Sequence, residues 1–348
     1  MIAVEYLRDL RKVSADDTLS DLLARAAAPF DRTEWWERLQ RYCDLDPIFV
    51  VARGRDGLAL LPLQTQGDSL SALANWYTFR WKPLITPGAN PAPLLEAIAR
   101  DLGRRTWRVS LPLLPEEDGT GSSLTRAFRR AGWITRCVSH DSNHILRVMG
   151  RSYADYVAGR PGPLRTTLRR KSGRVSCVVH TRFAEDVWSA YEAIYRDSWK
   201  PEEGAPDFLR AFAEAEACEG RLRLGMATID GEPVAAQLWT VENETAYIHK
   251  LAHREAMRSA SPGTILSAAL FAHVIDQDRV DLIDFGTGND AYKADWMEDV
   301  RPRYHLVALR TTSPRTWWHL AQAASSRLAK PGGRRLARLR LARRALPR

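Results

Sequence analysis

The sequence lacks the cysteine pairs and the long apolar runs that mark several classes of protein. Its 348 residues include four cysteines, which are widely spaced and form no CxxC pair, so neither a zinc site nor a disulfide framework is indicated. No run of 18 apolar residues occurs, and acidic residues interrupt the first twenty positions. The sequence therefore predicts neither a membrane-spanning helix nor a secretory leader. We expect a cytoplasmic protein without a metal site.

Acidic residues are also absent from the last 34 positions. Residues 315–348 contain nine Arg, one Lys and no Asp or Glu, whereas the whole chain has a net charge of +9, so residues 1–314 are close to neutral. Leucines alternate with arginines after a Pro-Gly-Gly break. Such a basic amphipathic segment is typical of binding to an anionic membrane surface, here the inner membrane face, at about 1 kcal/mol per basic residue. Nucleic-acid binding and a disordered solubilising tail are the alternatives.

What the chain does contain is typical of a globular protein. Hydrophobic residues make up 45% and charged residues 27% of the sequence. The length favours two domains of about 150 residues each. We place the boundary near Gly150, which gives a first domain at 1–149, a second at 150–314, and the basic tail at 315–348.

The hydrophobic pattern of the two halves is similar. Each half combines β-rich runs joined by short turns with amphipathic helices that alternate with later strands. Asp230-Gly231 and residues 242–244 have the composition of hairpin turns. This order predicts a duplicated α+β fold with mixed, mostly antiparallel sheets flanked by helices.

The stretch LIDFGTGNDAYKADW, residues 282–296, has three interpretations: a phosphate loop, a kinase-type metal site, or a turn. The kinase interpretation uses the triplet at 284–286, but the glycine-rich loop, strand lysine and catalytic-loop aspartate that accompany it in kinases are missing. The triplet then reads as the end of a strand that brings Asp284 to a sheet edge.

Glycines and two further polar residues follow Asp284. Gly286 and Gly288 permit a left-handed backbone conformation or the close approach of another group to the backbone. Tyr292 and Lys293 come in the next turn, where both are candidate site residues. A purely structural turn is the alternative.

A second candidate site lies at Ser261-Pro262-Gly263-Thr264. These residues stand between a predicted strand and a predicted helix, and proline suits the first helical position. The free N–H groups of such a helix start bind anions, notably a pyrophosphate. An ordinary capped helix is the alternative.

Two other segments carry candidate binding residues. Trp199 and Lys200 end a predicted helix before a proline and are placed to line a cleft, with Lys200 facing an anionic group. Residues 165–174 contain five basic side chains, which suit phosphates or a solvated helix face.

The strand segment 247–250 supplies a candidate base. Strict alternation predicts that Tyr247 and His249 share one face of the strand and that Ile248 and Lys250 share the other. His249 is then a candidate general base near neutral pH, with a structural histidine as the alternative.

The order of five motifs resembles a known family. The motifs are DSWK, GEPVAAQLW, AYIHKLAH, SPGTILSAAL and IDFGTGNDAYKADW. This succession resembles the GNAT-fold acyltransferases of the CelD type, associated with cellulose and exopolysaccharide operons. That group is similar in turn to the FemAB/FemX peptidoglycan-bridge aminoacyltransferases. The resemblance is clearest over residues 150–310, extends to 1–145 by architecture only, and implies two tandem GNAT-like domains.

The resemblance implies a transferase that uses acetyl-CoA or another acyl-CoA and an amine or hydroxyl acceptor. Residues 261–264 occupy the place of the loop that holds the donor pyrophosphate. The full Arg/Gln-x-x-Gly-x-Gly/Ala pattern is missing, because Arg258 stands five residues before Gly263. The donor is therefore left open among acyl thioesters.

The expected roles follow from the chemistry of thioester transfer, which needs a proton route, a polarised carbonyl and close placement of the reactants. Asp284 is the first candidate for the acid/base or acceptor-orienting group, Tyr292 for protonating the leaving thiolate, and His249 for a reserve base. Lys200 and Lys293 are expected to stabilise anionic parts of donor or acceptor.

The expected partners are a small-molecule or saccharide acceptor and the membrane surface described above. Two alternatives remain: an aminoacyl-tRNA-dependent transferase of the FemAB type, in which the basic segments hold tRNA, and a non-catalytic scaffold for polysaccharide assembly. Nucleic acid other than tRNA is not expected.

Overall fold

The structure, a computed structural model, describes residues 2–318 and 321. Within these residues the strands are β1 Ala3–Leu7, β2 Pro47–Gly54, β3 Gly57–Gln66, β4 Ser69–Ala72, β5 Leu84–Ile85, β6 Arg108–Leu114, β7 Trp133–Arg147, β8 Ser176–His180, β9 Leu222–Ile229, β10 Glu232–Glu242, β11 Thr245–His253, β12 Leu282–Thr287 and β13 Asp299–Arg310. The α-helices are α1 Leu10–Ser14, α2 Asp17–Leu23, α3 Thr33–Cys43, α4 Pro91–Leu102, α5 Thr120–Arg130, α6 Tyr153–Ala158, α7 Gly162–Lys171, α8 Glu185–Arg196, α9 Pro206–Cys218, α10 Pro262–Ala272 and α11 Lys293–Trp296.

The strands form one sheet. Its order is β1-β2-β3-β4-β6-β13-β7-β12-β11-β10-β9-β8, with β5 paired to β3. Most pairs are antiparallel, and the parallel pairs are β4 with β6 and β11 with β12. The predicted mixed, mostly antiparallel architecture flanked by helices is confirmed, but the two halves share one continuous sheet, since β7 pairs with β12.

Each half contains the same central unit, a parallel strand pair joined by a helix. In the first half α4 connects β4 to the region of β6, and in the second half α10 connects β11 to β12. Such parallel neighbours require a crossover connection. The duplicated order predicted from the sequence therefore corresponds to a repeated β-α-β unit.

Strand β13 lies between β6 and β7. Its register pairs Ala308 with Val109 on β6 and with Thr135 on β7. The strand thus completes the first half of the sheet although it lies in the second predicted domain. The boundary near Gly150 stays a prediction, and sheet pairing crosses it.

A large aromatic core joins the two halves. Trp35 on α3 meets Phe208 and Phe212 on α9 edge to face, at centroid distances of 5.0 and 5.2 Å. All three rings are almost fully buried. Edge-to-face pairs of this kind add about 0.5–1.5 kcal/mol each beyond their area burial. The halves are therefore held together by packing as well as by strand pairing.

The predicted turns are present and their backbone explains the residue choice. Asp230 and Gly231 have φ angles of 51° and 84°, and Asn243 and Glu244 have 47° and 56°. Positive φ at both central residues defines a type I′ turn, which matches the twist of antiparallel strands.

Within the part of the chain that the structure describes, no helix is both long and apolar enough to cross a membrane. Trp317 and Trp318 are exposed. Almost all of the basic tail predicted to bind membranes lies outside the described residues.

Candidate functional site

The parallel pair β11 and β12 separates partway along its length. The strands pair at three positions, ending with Tyr247 opposite Asp284. Beyond this point β11 continues to His253, while β12 stays paired only with β7, where Thr287 pairs with Asn143. The carboxyl ends of neighbouring parallel strands are where open α/β sheets bind ligands. The separation therefore opens a crevice beside the start of α10.

A β-bulge shapes β11 at this crevice. Lys250 pairs with Leu238 and Ile248 pairs with Trp239, so His249 is the extra residue on β11. Bulges re-aim side chains locally. The predicted alternation holds for Tyr247 and His249, which both contact Phe30. It is wrong at Lys250, which lies on the same side, beside the Tyr77 ring.

The start of α10 is fixed by polar contacts. Ser261, the N-cap, has a left-handed backbone with φ of 56°, and Lys171 Nζ donates to its Oγ at 2.8 Å. Gln237, buried in β10, donates to the Gly263 carbonyl at 3.0 Å and to Ser267 Oγ at 2.8 Å. The helix start is thus held against the sheet, with the Lys171 ammonium beside it.

A cavity of about 630 Å³ opens at this helix start, and we name it the α10 cleft. Its lining comprises Leu164, Trp199, Leu251, His253, Glu255, Arg258, Ser261, Gly263, Thr264, Ser267, Asp290, Ala291, Tyr292, Asp295 and Trp296. Five of the residues predicted from sequence meet here: Trp199, Ser261, Gly263, Thr264 and Tyr292. Pro262 is the buried first residue of α10.

The cleft has aromatic walls. The ring of Trp199 lies on His253, with centroids 4.3 Å apart, and Tyr292 meets Phe285 edge to face at 5.7 Å. Gly263 permits the close approach of His253, since a Cβ there would lie 3.3 Å from His253 Nδ1. Burial, reinforced by Asp290, raises the pKa of Tyr292. Its hydroxyl therefore carries its proton at neutral pH.

Lys293 has a structural position. Its side chain is buried, and Nζ donates to the carbonyls of Phe285 at 3.2 Å, Gly288 at 3.3 Å and Thr287. Burial lowers the pKa of this ammonium. All three ammonium donors are engaged by the backbone at the end of β12 and at the start of the turn after it. This geometry disfavours the expected substrate contact, and Lys293 holds the turn that carries Tyr292.

Asp284 is buried between β12 and β7. Its Oδ1 accepts from Asn143 Nδ2 at 2.6 Å and from the Gly286 N–H at 2.8 Å. Arg303 donates to Asn143 Oδ1 at 2.7 Å and to both carboxylate oxygens of Glu117. This placement argues against direct proton transfer by Asp284 and suits a group that orients the end of β12.

His249 does not fit the role of a base near neutral pH. Its Nε2 lies 2.8 Å from Thr240 Oγ1, and the rings of Phe79 and Phe212 surround it at 5.3 and 4.9 Å. Burial, together with the charges of Arg32 and Lys250, lowers its pKa to about 3. A neutral imidazole with so low a pKa accepts protons poorly, so these contacts favour the alternative of a structural histidine.

Lys200 lies outside the α10 cleft, although Trp199 lines it. Lys200 borders a second cavity beside α8, and its Nζ lies 5.7 Å from the Trp199 ring centre. Burial and the neighbouring Lys250 lower its pKa. Residues 199 and 200 therefore separate two cavities.

Sequence reasoning missed three polar residues of this region: Gln237, Asn143 and His253. Gln237 and Asn143 are buried within strands. A polar side chain inside an apolar strand costs free energy unless it is hydrogen-bonded, and this is the signal that could have found them. Within residues 2–318 and 321, no group of three or more His, Cys, Asp or Glu side chains is arranged to hold a metal ion.

A protein-family model matches part of the second half of the chain. Residues 163–294 match a family model described as an acetyltransferase (GNAT) domain. This range contains β11, α10 and β12 with the crevice between them. A search of curated protein sequences finds no significant match.

Solved structures resemble nearly the whole chain. The C-terminal domain of a putative lysylphosphatidylglycerol synthetase from Agrobacterium fabrum has a TM-score of 0.58 at 14% identity, covering 90% of this chain and 95% of that one. FemX has a TM-score of 0.58 at 9% identity over 86% and 96%. A tandem GNAT protein from the clavulanic acid biosynthesis pathway has 0.55 at 17% identity over 90% and 100%.

At these identities the likeness concerns the fold. The chain has a tandem GNAT-like fold, and residues 163–294 within it correspond to a GNAT acetyltransferase domain. The fold predicted from the five motifs is therefore confirmed.

Proposed function

We propose that the protein transfers an acyl group from acyl-CoA to an amine or hydroxyl acceptor in cell-envelope or polysaccharide biosynthesis. The observation that carries the proposal is the α10 cleft, which opens where β11 and β12 separate and which contains the start of α10. Its volume suits a small-molecule ligand. The GNAT match over residues 163–294 supports the acyltransferase class.

The start of α10 is suited to the anionic part of the donor. A helix start attracts negative charge, and here Lys171 and Arg258 add two cations beside it. Helix α7 presents Arg165, Arg169 and Arg170 to solvent, while its Leu164 lines the cleft. The basic segment at 165–174 thus adjoins the proposed pyrophosphate site and is available to the nucleotide part of CoA.

The reaction requires one bond to form and one to break. The acceptor nitrogen or oxygen attacks the thioester carbonyl carbon, and the C–S bond breaks. The acceptor releases one proton and the thiolate takes up one, so the number of protons is unchanged. Tyr292, whose hydroxyl is protonated and lines the cleft, is the proposed donor of that proton. Asp284 acts at a distance by orienting the end of β12.

A second candidate function is aminoacyl transfer from tRNA, and two observations favour it. The exposed arginines of α7 lie beside the cleft, and FemX and the C-terminal domain of a putative lysylphosphatidylglycerol synthetase share the fold. The CelD-type assignment, a non-catalytic scaffold, and membrane binding through residues 315–348 remain further proposals. A cytoplasmic location, peripheral at the inner membrane face, is part of the same proposal.

Thermal unfolding in the presence of acetyl-CoA, other acyl-CoAs and free CoA tests the donor. A ligand at 100 times its Kd stabilises the folded state by about 2.7 kcal/mol, which raises the melting temperature. Trp199→Ala should weaken this shift in melting temperature. Trp318 is also exposed but does not line the α10 cleft, so Trp318→Ala should leave the shift unchanged. If no CoA species raises the melting temperature and an aminoacyl-tRNA does, the second candidate replaces the first.

A further inference from the structure

The first part of β7 forms an open edge of the sheet. Residues 133–142 have β13 as their neighbour on one side, whereas β12 on the other side reaches only residues 143–147. Within the described part of the chain, no strand pairs with the second side of residues 133–142. Alternate residues of an antiparallel strand direct their N–H and C=O groups away from a given neighbour. Every second residue of this segment therefore presents backbone groups to which another strand could pair.

The two faces of this edge differ in chemistry. Thr135 Oγ1 accepts a hydrogen bond from an α5 side chain at 2.7 Å, and Cys137 packs against the core beneath α5. Ile134, Arg136 and Val138 therefore point to the opposite face, because side chains alternate along a strand. Ile134 and Val138 are 37% and 38% exposed. The face away from α5 thus carries two open apolar side chains.

The face towards α5 is basic. A groove of about 500 Å³, which we name the α5 groove, is lined by Arg126, Arg129 and Arg130 of α5 together with Cys137 of β7 and Tyr304 of β13. The three arginines share one face of the helix, because they are spaced by three and four residues. Since Cys137 belongs both to the lining and to the open segment of β7, the groove adjoins the edge.

The positive charge at this edge is not compensated. Among residues 2–318 and 321, no carboxylate oxygen lies within 4.0 Å of the guanidinium nitrogens of the three groove arginines or of Arg136. Glu116 also lines the groove, but it accepts hydrogen bonds from the N–H of Ser122 at 2.9 Å and from the Ser122 hydroxyl. A carboxylate supplied by a partner would therefore find free guanidinium groups here.

The charge restricts which chain can pair with the edge. A second copy of the protein would bring the same arginines to the interface, and like charges directly opposite each other destabilise a strand pair. Residues 319–348 contain eight Arg, one Lys and no acidic residue, so they are repelled as well. Nucleic acids and lipid headgroups would match the charge but cannot extend the strand ladder. An acidic polypeptide can do both.

We propose that the open edge of β7 binds an extended segment of another protein in which acidic and apolar residues alternate. Side chains of an added strand point alternately to the two faces. The acidic side chains then reach the arginines of the α5 groove, while the apolar ones lie beside Ile134 and Val138. Backbone hydrogen bonds to β7 provide affinity, and the two faces provide selectivity. The site is separate from the α10 cleft and independent of the proposed acyl transfer.

Fluorescence anisotropy with a labelled peptide tests the charge requirement. The probe is a peptide of about ten residues in which Glu and Val alternate, the length of the open edge, and it is titrated with the full chain. The same peptide with Lys in place of Glu should bind at least about tenfold more weakly, because its ammonium groups face the groove arginines. Equal affinity of the two peptides overturns the inference.

N-methylated peptides test the strand pairing. One version of the probe is methylated on every Glu nitrogen and the other on every Val nitrogen, so each lacks one alternate set of N–H donors. Only one set can face β7. One version should therefore bind at least about tenfold more weakly than the probe, and the other should stay within about threefold. Equal behaviour of the two versions overturns the proposed pairing.

A double variant tests the location of the site. Arg126→Gln combined with Arg130→Gln should weaken binding of the Glu-Val probe about tenfold, since two exposed charge pairs are lost. Arg165→Gln combined with Arg169→Gln is the matched control, because these α7 arginines are also exposed and four residues apart, and it should leave binding unchanged. Circular dichroism verifies that both variants fold. Equal effects of the two double variants, or tighter binding of an oligouridylate of about ten nucleotides than of the probe, overturn the inference.

Discussion

Replacing Gly286 with alanine tests how closely the first half of the chain approaches the end of β12. Gly286 has φ of 66°, and a Cβ there would lie 2.9 Å from the Phe79 ring. The left-handed backbone costs a residue with a Cβ about 1–2 kcal/mol, and an overlap of this kind costs about 1–3 kcal/mol more. Gly286→Ala should therefore lower the free energy of unfolding by about 2–5 kcal/mol.

Gly150 provides a matched control for the backbone component. Its φ is 69°, and a Cβ there would meet nothing within 4 Å. Gly150→Ala should therefore lose only the backbone component, about 1–2 kcal/mol. Urea unfolding of both variants measures the difference, expected at about 1–3 kcal/mol. Equal losses would refute the close approach, and a smaller loss for Gly286→Ala in a Phe79→Leu background would support it.

Three further predictions follow from the site. Because the His249 pKa is lowered to about 3, the unfolded chain binds a proton below pH 6.5 that the folded state does not. The free energy of unfolding should therefore decrease as the pH is lowered below 6.5, by up to about 1.4 kcal/mol per pH unit. An equal loss of stability in urea for wild type and His249→Leu between pH 7 and pH 5 would contradict this. Tyr292→Phe should lower acyl-transfer turnover roughly 100-fold with CoA binding retained, and unchanged turnover removes the tyrosine from the mechanism. Arg303→Met removes the donor to the buried Asn143 Oδ1 and leaves Glu117 with the more distant Arg301 at 3.6 Å, and it should cost about 1–3 kcal/mol in urea, whereas the exposed Arg136→Met should cost little.

The parts of the site that depend on local chain chemistry could be predicted from the sequence. Proline at position 262 and glycine at 263 indicate a helix start wherever the helix packs, and Gly286 and Gly288 indicate positive φ, which both adopt. The order of motifs also places this helix start between AYIHKLAH and IDFGTGNDAYKADW in the chain. These predictions depend only on residues that are neighbours in the sequence.

The errors have a common physical reason, since each depends on contacts that local sequence does not specify. Lys293 is engaged by three carbonyls of a turn whose shape depends on strand pairing. His249 is the extra residue of a β-bulge, which a period-two pattern cannot reveal. The carboxylates of the second cavity, beside α8, belong to no motif, because they come from α8, from the loop after it and from the start of α9.

The position of β13 has a consequence for synthesis of the chain. On the ribosome, β6 and β7 emerge early, but the strand that separates them is made only when residues 299–310 leave the exit tunnel. Until β12 and β13 are made, β7 lacks both of its neighbours and β6 lacks one, and such unpaired strand edges invite pairing with other chains. The edges of β6 and β7 therefore stay unpaired until nearly the entire second half has been translated. A fragment that ends before β13 should aggregate.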